Sequence, residues 1–360
     1  MKTKVILITG GAGFLGLHLA HYFKKQEKNK FLLVLLDIAK FDENEYPKGV
    51  VFINADVRDK KTIENLFKKY RFEIVIHAAA ALPLWKEREI YDINVNGTKK
   101  LLEASLKFKV KNFIFISSTA VYGVPKKHPI FESDPLIGVG PYGESKIKAE
   151  KLCFNYQKKG LVVTIIRPKT FVGCYRLGVF EILFDWIHDG KKIPIIGSGN
   201  NRYQLLDVDD LVEAIFKIVN AKNKKKVNNV FNIGAKKFGT VKEDLNQLIS
   251  YAAKKSMMRK QPLISTPAFL VKKVLWILEK LKLSPLYQWI YETADQDSYV
   301  SIDKIKKTLN WEPRYSNAQA LIKAYQWYLD HFQEIKSQKS GVTHRVGWNQ
   351  GVIGLFKKFF

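Results

Sequence analysis

The sequence predicts a doubly wound parallel α/β sheet followed by a smaller C-terminal lobe that forms the substrate site. Three observations carry this. Short β-branched apolar runs alternate with helical periodicity over residues 1–167, the first run leads straight into a glycine-rich turn and a helix, and the alternation stops after Pro168. Strands that alternate with helices give a parallel sheet covered on both faces. Right-handed crossovers then wind it outward in two directions.

The elements follow in order. Val5 to Thr9 reads as a buried strand and Phe14 to Lys25 as a helix. Phe31 to Asp37 and Val50 to Asn54 are the next strands, with a helix over Thr62 to Tyr70 after them. Glu73 to His77 is a fourth strand, Glu89 to Phe108 a helix and Asn112 to Ser117 a fifth strand. Pro141 to Lys158 is a helix and Leu161 to Arg167 a sixth strand. Residues 168–335 are expected to form mainly the substrate-binding lobe, with some segments returning to the sheet. Residues 336–360 read as a basic and apolar tail entered through K-S-Q-K-S-G, Lys336 to Gly341.

Composition narrows the function classes. Lys and Arg total 60 against 34 Asp and Glu, a formal net charge of +26 over 360 residues. Such a surface favours anionic small molecules or acidic lipid headgroups. The basic residues are spread along the chain with no block like a nucleic-acid-binding tail, so nucleic acid is not an expected partner. Two cysteines, Cys153 and Cys174, exclude a disulfide framework and a C-x-x-C metal pattern. They fit a cytoplasmic setting. The apolar run Val5 to Ile8 is too short for a signal peptide, and no stretch approaches ~20 uninterrupted apolar residues. His18 and His21 share the first helix with no third ligand nearby, so no metal site is expected.

T-G-G-A-G-F-L-G, Thr9 to Gly16, stands between a strand and a helix. Glycine permits the tight turn and a close backbone approach to a pyrophosphate, and the helix N-terminus offers free N–H groups and a positive dipole to it. Asp37 ends the next strand, where a carboxylate takes both ribose hydroxyls of a dinucleotide. A carboxylate there repels a 2′-phosphate, which favours NAD over NADP. Tyr142 and Lys146 stand four apart in P-Y-G-E-S-K and share one helical face. A free tyrosine titrates near about 10, and an ammonium one turn away lowers that value toward the range of a useful base. Ser118, just after the fifth strand, is placed to bind a substrate oxygen.

With these residues in view the sequence resembles the extended short-chain dehydrogenase/reductase superfamily, specifically the NAD-dependent epimerase/dehydratase family. The matching pieces are T-G-G-A-G-F-L-G, Asp37, D-V-R-D from Asp56, H-A-A-A from His77, N-V-N-G-T from Asn94 and S-S-T-A-V-Y-G from Ser117. Y-G-E-S-K from Tyr142, Arg167-Pro168, D-V-D-D-L from Asp207 and W-E-P-R-Y-S from Trp311 complete the series. The resemblance implies a Rossmann-type fold and a catalytic set of Ser118, Tyr142 and Lys146. For the cofactor it implies contacts from Gly10, Gly13, Phe14, Leu15, Gly16, Asp37, Asp56, Val57, Ala78, Ala79, Ala80, Asn94, Ser117, Arg167 and Pro168, besides Tyr142 and Lys146. Thr119, Thr170 and Arg202 are substrate candidates.

The implied chemistry is hydride transfer between substrate and NAD, with Tyr142 moving the proton and Ser118 stabilising charge on the oxygen. Epimerisation of a nucleotide-linked or similarly activated sugar is the first reading. Dehydratases of the family carry an Asp-Glu pair after the catalytic Thr, whereas Thr119 and Ala120 follow Ser118 here. The second reading is a dehydrogenase or reductase of a hydroxylated lipid, sterol-like or sugar substrate, in the branch of the 3β-hydroxysteroid dehydrogenases. Two departures feed it. R-P-K-T-F places Lys169 and Thr170 where family epimerases often have an Asn, and the spacing of Arg202 to Val208 differs by one residue from that of the usual phosphate-binding Arg. The apolar, lysine-bearing segments 268–291 and 352–360 suggest peripheral membrane contact. A homodimer is expected from the resemblance.

Overall fold

Runs of apolar residues with period-free burial make the centre of the molecule. The structure, a computed structural model, describes residues 3–26, 30–257, 260–281, 283–284, 286–337, 341, 345–347, 351–352, 354 and 357. Among these, β1 (Lys4–Thr9), β2 (Phe31–Asp37), β3 (Val50–Asn54), β4 (Ile74–His77), β5 (Asn112–Ile116) and β6 (Val163–Pro168) form one sheet. Every pairing in it is parallel. The short strands β7 (Phe171–Val172), β8 (Ile193–Ile196) and β9 (Leu206–Asp207) lie outside it, and β10 (Val230–Ile233) returns to pair with β6. A last strand, β11 (Leu263–Thr266), pairs with β8. The sheet order is β10-β6-β5-β4-β1-β2-β3. The order reverses between β1 and β4, and ligands of such sheets bind beyond the strand ends at that switch point.

Helices α1 (Phe14–Gln26), α2 (Lys60–Tyr70), α3 (Glu87–Tyr91), α4 (Thr98–Lys107) and α5 (Gly140–Lys158) connect the strands. Then come α6 (Val179–His188), α7 (Val208–Asn220), α8 (Lys224–Val227), α9 (Val241–Ser256), α10 (Ala268–Lys280), α11 (Gln288–Thr293), α12 (Asp303–Leu309), α13 (Asn317–Asp330) and α14 (Phe332–Ser337). One sheet face is sealed by Phe14, Leu17 and Phe23 of α1 with Leu211, Ile215 and Ile218 of α7. The other is sealed by Phe67, Leu101, Leu102, Ala149 and Cys153 of α2, α4 and α5. A third core joins α6, α9 and α13 through Phe184, Leu248, Leu321, Tyr325 and Tyr328.

One predicted element is broken. In place of a single helix over Glu89 to Phe108, α3 and α4 are joined by a wide π turn at Asp92–Gly97. The turn carries Asn94 inward, where its Oδ1 accepts from the Ala81 amide at 2.8 Å. A Cβ at Gly97 would lie 2.7 Å from a Val57 methyl, so the backbone can approach there only as glycine. Such single-turn widenings recur beside functional sites.

Helix α10 is unusual in burying only Leu275 among its residues. Phe269 is 75% exposed and Trp276 50%, with Leu270, Val274 and Ile277 exposed beside them. Among the described residues no helix is long and apolar enough to cross a membrane.

Candidate active site

The glycine loop is built by close backbone packing. Gly10 has φ +71°, and a Cβ on it would sit 2.8 Å from the Ala78 carbonyl carbon and the Ala79 amide. A Cβ on Gly16 would lie 2.4 Å from the Gly10 oxygen. The loop after β1 and the chain after β4 therefore close on each other at the switch point, with Ala78 to Ala80 beside Gly10. The first turn of α1, with Phe14, Leu15 and Gly16, holds no acidic side chain, which leaves its positive end for an external anion. This cradle fits a dinucleotide pyrophosphate.

Asp37 sits at the end of β2 with Oδ2 accepting from the Ala12 amide and Oδ1 from the Ala39 amide, both at 3.0 Å. Burial raises its pKa while these amides oppose the shift. The carboxylate is thus held in one orientation against the glycine loop. Asp37→Ala is expected to lower the NAD-to-NADP affinity ratio at least about tenfold, the worth of one charge-assisted hydrogen bond. Titration of both nucleotides checks this, and an unchanged ratio would remove Asp37 from the ribose site.

Other residues expected at the cofactor have internal partners. The Asp56 carboxylate takes both Arg58 Nε, at 3.0 Å, and Nη2, at 2.7 Å. Val57 is buried behind it against Gly97. Asn94 spends its amide on Ala81 O and Ser145 Oγ, so it ties the chain after β4 to α5. Ser117 donates to Glu150 Oε1 at 2.5 Å. Arg167 is fully committed as well, with Nε and Nη2 on Glu150 at 2.9 and 2.6 Å and Nη1 on Tyr122 at 2.7 Å. These hydrogen bonds hold the side chains in place.

His77 shows how completely this region is satisfied. The Thr98 hydroxyl donates to Asn94 O at 2.7 Å, so it accepts from His77 Nε2 at 2.9 Å. Nδ1 is then the acceptor, for the Thr9 hydroxyl at 2.7 Å. The imidazole is neutral, and burial pushes its pKa down to about 3. His18 faces Cys174 O at 3.0 Å and Asp209 at 3.5 Å.

Tyr142, on the first turn of α5, meets Ser118 at the end of β5. Ser118 Oγ accepts from the Ala120 amide at 3.1 Å, and its hydroxyl lies close enough to Tyr142 to favour the phenolate. Lys146 lies one helical turn on, its Nζ 5.8 Å from the Tyr142 ring centre and donating to Ile116 O at 2.9 Å. The expected lysine effect on the tyrosine is not what this geometry gives. Burial pushes the Tyr142 phenol up to about 12, opposed by Ser118 and the charge of Arg176. Lys146 is itself lowered to about 8 by burial. Its charge is turned to a backbone carbonyl, so at neutral pH the tyrosine holds its proton.

A cavity of about 430 Å³ opens beyond these hydroxyls. Ser117, Ser118, Tyr142 and Pro168 line it together with Thr170, Lys169 and Arg176. Leu183, Leu245, Trp289 and Ile290 add an apolar wall. Thr119 turns its hydroxyl to Pro168 O at 3.3 Å and does not line this cavity, and neither does Arg202. Arg202 is exposed between the rings of Phe238 and Tyr299, 4.9 and 4.8 Å from their centres. Two features escaped sequence reasoning. Arg176 stands in C-Y-R-L-G with no periodic neighbour. Arg345 comes from the tail to the glycine loop, its Nη1 donating to Ala12 O at 3.1 Å and its Nη2 to Glu45 at 2.6 Å.

With this geometry in hand, comparison with known proteins settles the family. The model of the NAD dependent epimerase/dehydratase family matches residues 6–234. The chain belongs to this family. It is 33% identical to an uncharacterized Sinorhizobium fredii protein, y4nG, over 98% of this chain and 85% of that one. It is 34% identical to a putative UDP-glucose 4-epimerase of Methanocaldococcus jannaschii over 66% of this chain and 79% of that one. Among solved structures, the Thermotoga maritima UDP-glucose 4-epimerase with UDP-glucose is 26% identical. It superposes with a TM-score of 0.73 and covers 91% of this chain and 99% of its own. The seven-stranded parallel sheet is the Rossmann-type fold of this family.

Proposed function

We propose that the protein is an NAD-dependent epimerase of a nucleotide-linked or similarly activated sugar. The observation that carries this reading is that Ser118 and Tyr142 together line a cavity large enough for a small-molecule substrate. NAD, when bound, would supply the hydride acceptor and donor. Tyr142 moves the proton on the reacting oxygen. Its high pKa makes it an acid toward a keto oxygen, and the Ser118 hydroxyl and the charge of Arg176 oppose that rise when it acts as the base toward the alcohol. Ser118 donates to the same oxygen. Lys146, anchored on Ile116 O, lies one helical turn beyond Tyr142. Thr170 lines the same cavity. The test is conversion of UDP-linked sugars to their epimers, with no net NADH formed.

A second reading, a dehydrogenase or reductase of a hydroxylated lipid or sterol-like alcohol, is favoured by the apolar wall of Leu82, Val179, Phe180, Leu183, Trp289 and Ile290. NADH accumulating with such alcohols would select it.

The exposed face of α10 supports peripheral contact with an acidic membrane surface. Its apolar residues flank exposed Lys273 and Lys280, the composition of an interfacial helix. Much of 352–360 lies outside the described residues, but the Val352 amide reaches Leu283 O at 3.1 Å, so the tail enters beside this face. Co-sedimentation with phosphatidylglycerol vesicles is expected, and its loss in Phe269→Ser with Trp276→Ser. No sedimentation, together with a dimer that dissociates in the same variant, would assign the face to a second copy.

A further inference from the structure

Arg176 is a buried cation with unpaired guanidinium N–H groups among the described residues. The residue is 6% exposed, and its Nε and Nη1 are buried without a hydrogen-bond partner among the described residues. Its guanidinium carbon lies 5.5 Å from the centre of the Phe14 ring, 5.7 Å from Phe171 and 5.8 Å from Phe180. Three rings can hold the plane of a guanidinium but cannot take its N–H bonds. An unpaired charge in such surroundings is strongly unfavourable, and burial lowers the pKa of this arginine to about 10. Arginine stays charged even so.

The rest of the cavity offers no compensation. Its two carboxylates are engaged elsewhere. Asp244 accepts from Asn317 Nδ2 at 2.9 Å and the Gly239 amide at 3.3 Å. Glu279 accepts from Tyr291 at 2.6 Å and the Gln288 amide at 3.1 Å. The other buried cation, Lys169, donates to Ser298 Oγ at 2.7 Å and lies over the Tyr203 ring. Two cations and no free anion face one space, and the charge of Arg176 is felt at the Tyr142 phenol.

We infer that Arg176 is the anion-binding residue of the substrate cavity and holds a carboxylate or phosphate group of the substrate close to the oxygen that Tyr142 protonates. The inference rests on the reading of this cavity as the substrate site. The planar fork of Arg176 matches either oxyanion bidentately. Specificity follows from the same feature: a neutral alcohol leaves the guanidinium unpaired, so acidic substrates are selected over neutral lipids and sterols.

The experiment is equilibrium binding to the full chain of UDP-glucose, UDP-glucuronate and NAD, for the native protein, Arg176→Met and Arg176→Lys. Methionine keeps much of the volume and removes the charge, and lysine keeps the charge without the fork. The expected result is an affinity loss of at least about tenfold in Arg176→Met, with partial recovery in Arg176→Lys and NAD affinity unchanged. A loss confined to UDP-glucuronate identifies a sugar carboxylate as the anion, and an equal loss for both sugar nucleotides identifies the diphosphate. A loss for NAD alone would assign Arg176 to the cofactor's pyrophosphate and overturn the inference. So would a lower melting temperature with all three affinities intact. If Arg176→Met does not fold, Arg176→Lys decides, because a fork bound to an anion loses affinity on that exchange and a merely buried charge does not. Binding needs no turnover, so a protein that binds through Arg176 yet isomerises no sugar contradicts the epimerase reading and leaves this inference standing.

Discussion

Tyr142→Phe is expected to lower kcat by roughly 10²- to 10⁴-fold, the usual worth of one positioned proton donor. The change removes one oxygen and keeps the ring, so the packing of the first turn of α5 against Ser118 persists. What is lost is the group that takes and returns the substrate proton. Ser118 keeps its bond to the Ala120 amide but cannot replace that proton transfer, because a hydroxyl without a neighbouring charge is a poorer acid. NAD binding should be unaffected. Turnover measured beside cofactor occupancy separates the two effects, and a variant that retains near-native kcat would remove Tyr142 from the chemistry.

Glu150→Ala is expected to destabilise the fold by about 3–5 kcal/mol, the usual consequence of deleting one partner of a buried ion pair. Glu150 and Arg167 are both buried and joined by two hydrogen bonds of 2.9 and 2.6 Å. The pair extends through Tyr122, which donates to Asn232 Oδ1 at 2.7 Å, and through Ser117. It therefore links α5, which carries Tyr142 and Lys146, and the end of β5, which leads to Ser118, to β6 and β10. Removing Glu150 leaves the arginine charge buried and alone. Denaturant unfolding measures the loss. The double change Glu150→Leu with Arg167→Met should recover most of it, since an apolar pair of similar volume carries no desolvation term. An unaltered midpoint in Glu150→Ala would show that the network contributes nothing to stability.

The order of strands and helices through β6 was legible because each strand is a short apolar run with a turn residue at its end. Asp37 and the glycine loop were legible for a local reason: a tight turn and a strand-end acid are properties of adjacent residues. Tyr142 and Lys146 share a helix face by spacing alone, and Ser118 follows from the end of β5. What the chain order hid depends on contacts between distant segments. The π turn at Asp92–Gly97 exists because Asn94 finds Ala81 and Gly97 meets Val57, and neither partner is visible in helical periodicity. Glu150 lies one turn beyond Lys146 and looks like a surface acid until Arg167 arrives from β6. Arg176 follows a left-handed Tyr175 at φ 65°, and only the closure of the second lobe places it in the cavity. The placement of Arg202 over Phe238 and Tyr299 was hidden for the same reason, since both rings come from distant segments.

The measurement that bears most directly on the proposed chemistry is the identity of the nucleotide released when the gently purified protein is denatured, read by mass spectrometry. An enzyme that returns the hydride to its own substrate has no need to exchange cofactor, so the account predicts NAD or NADH in near-stoichiometric amount. Empty sites that bind NAD only weakly would contradict it and favour a dehydrogenase that exchanges the nucleotide at each turnover.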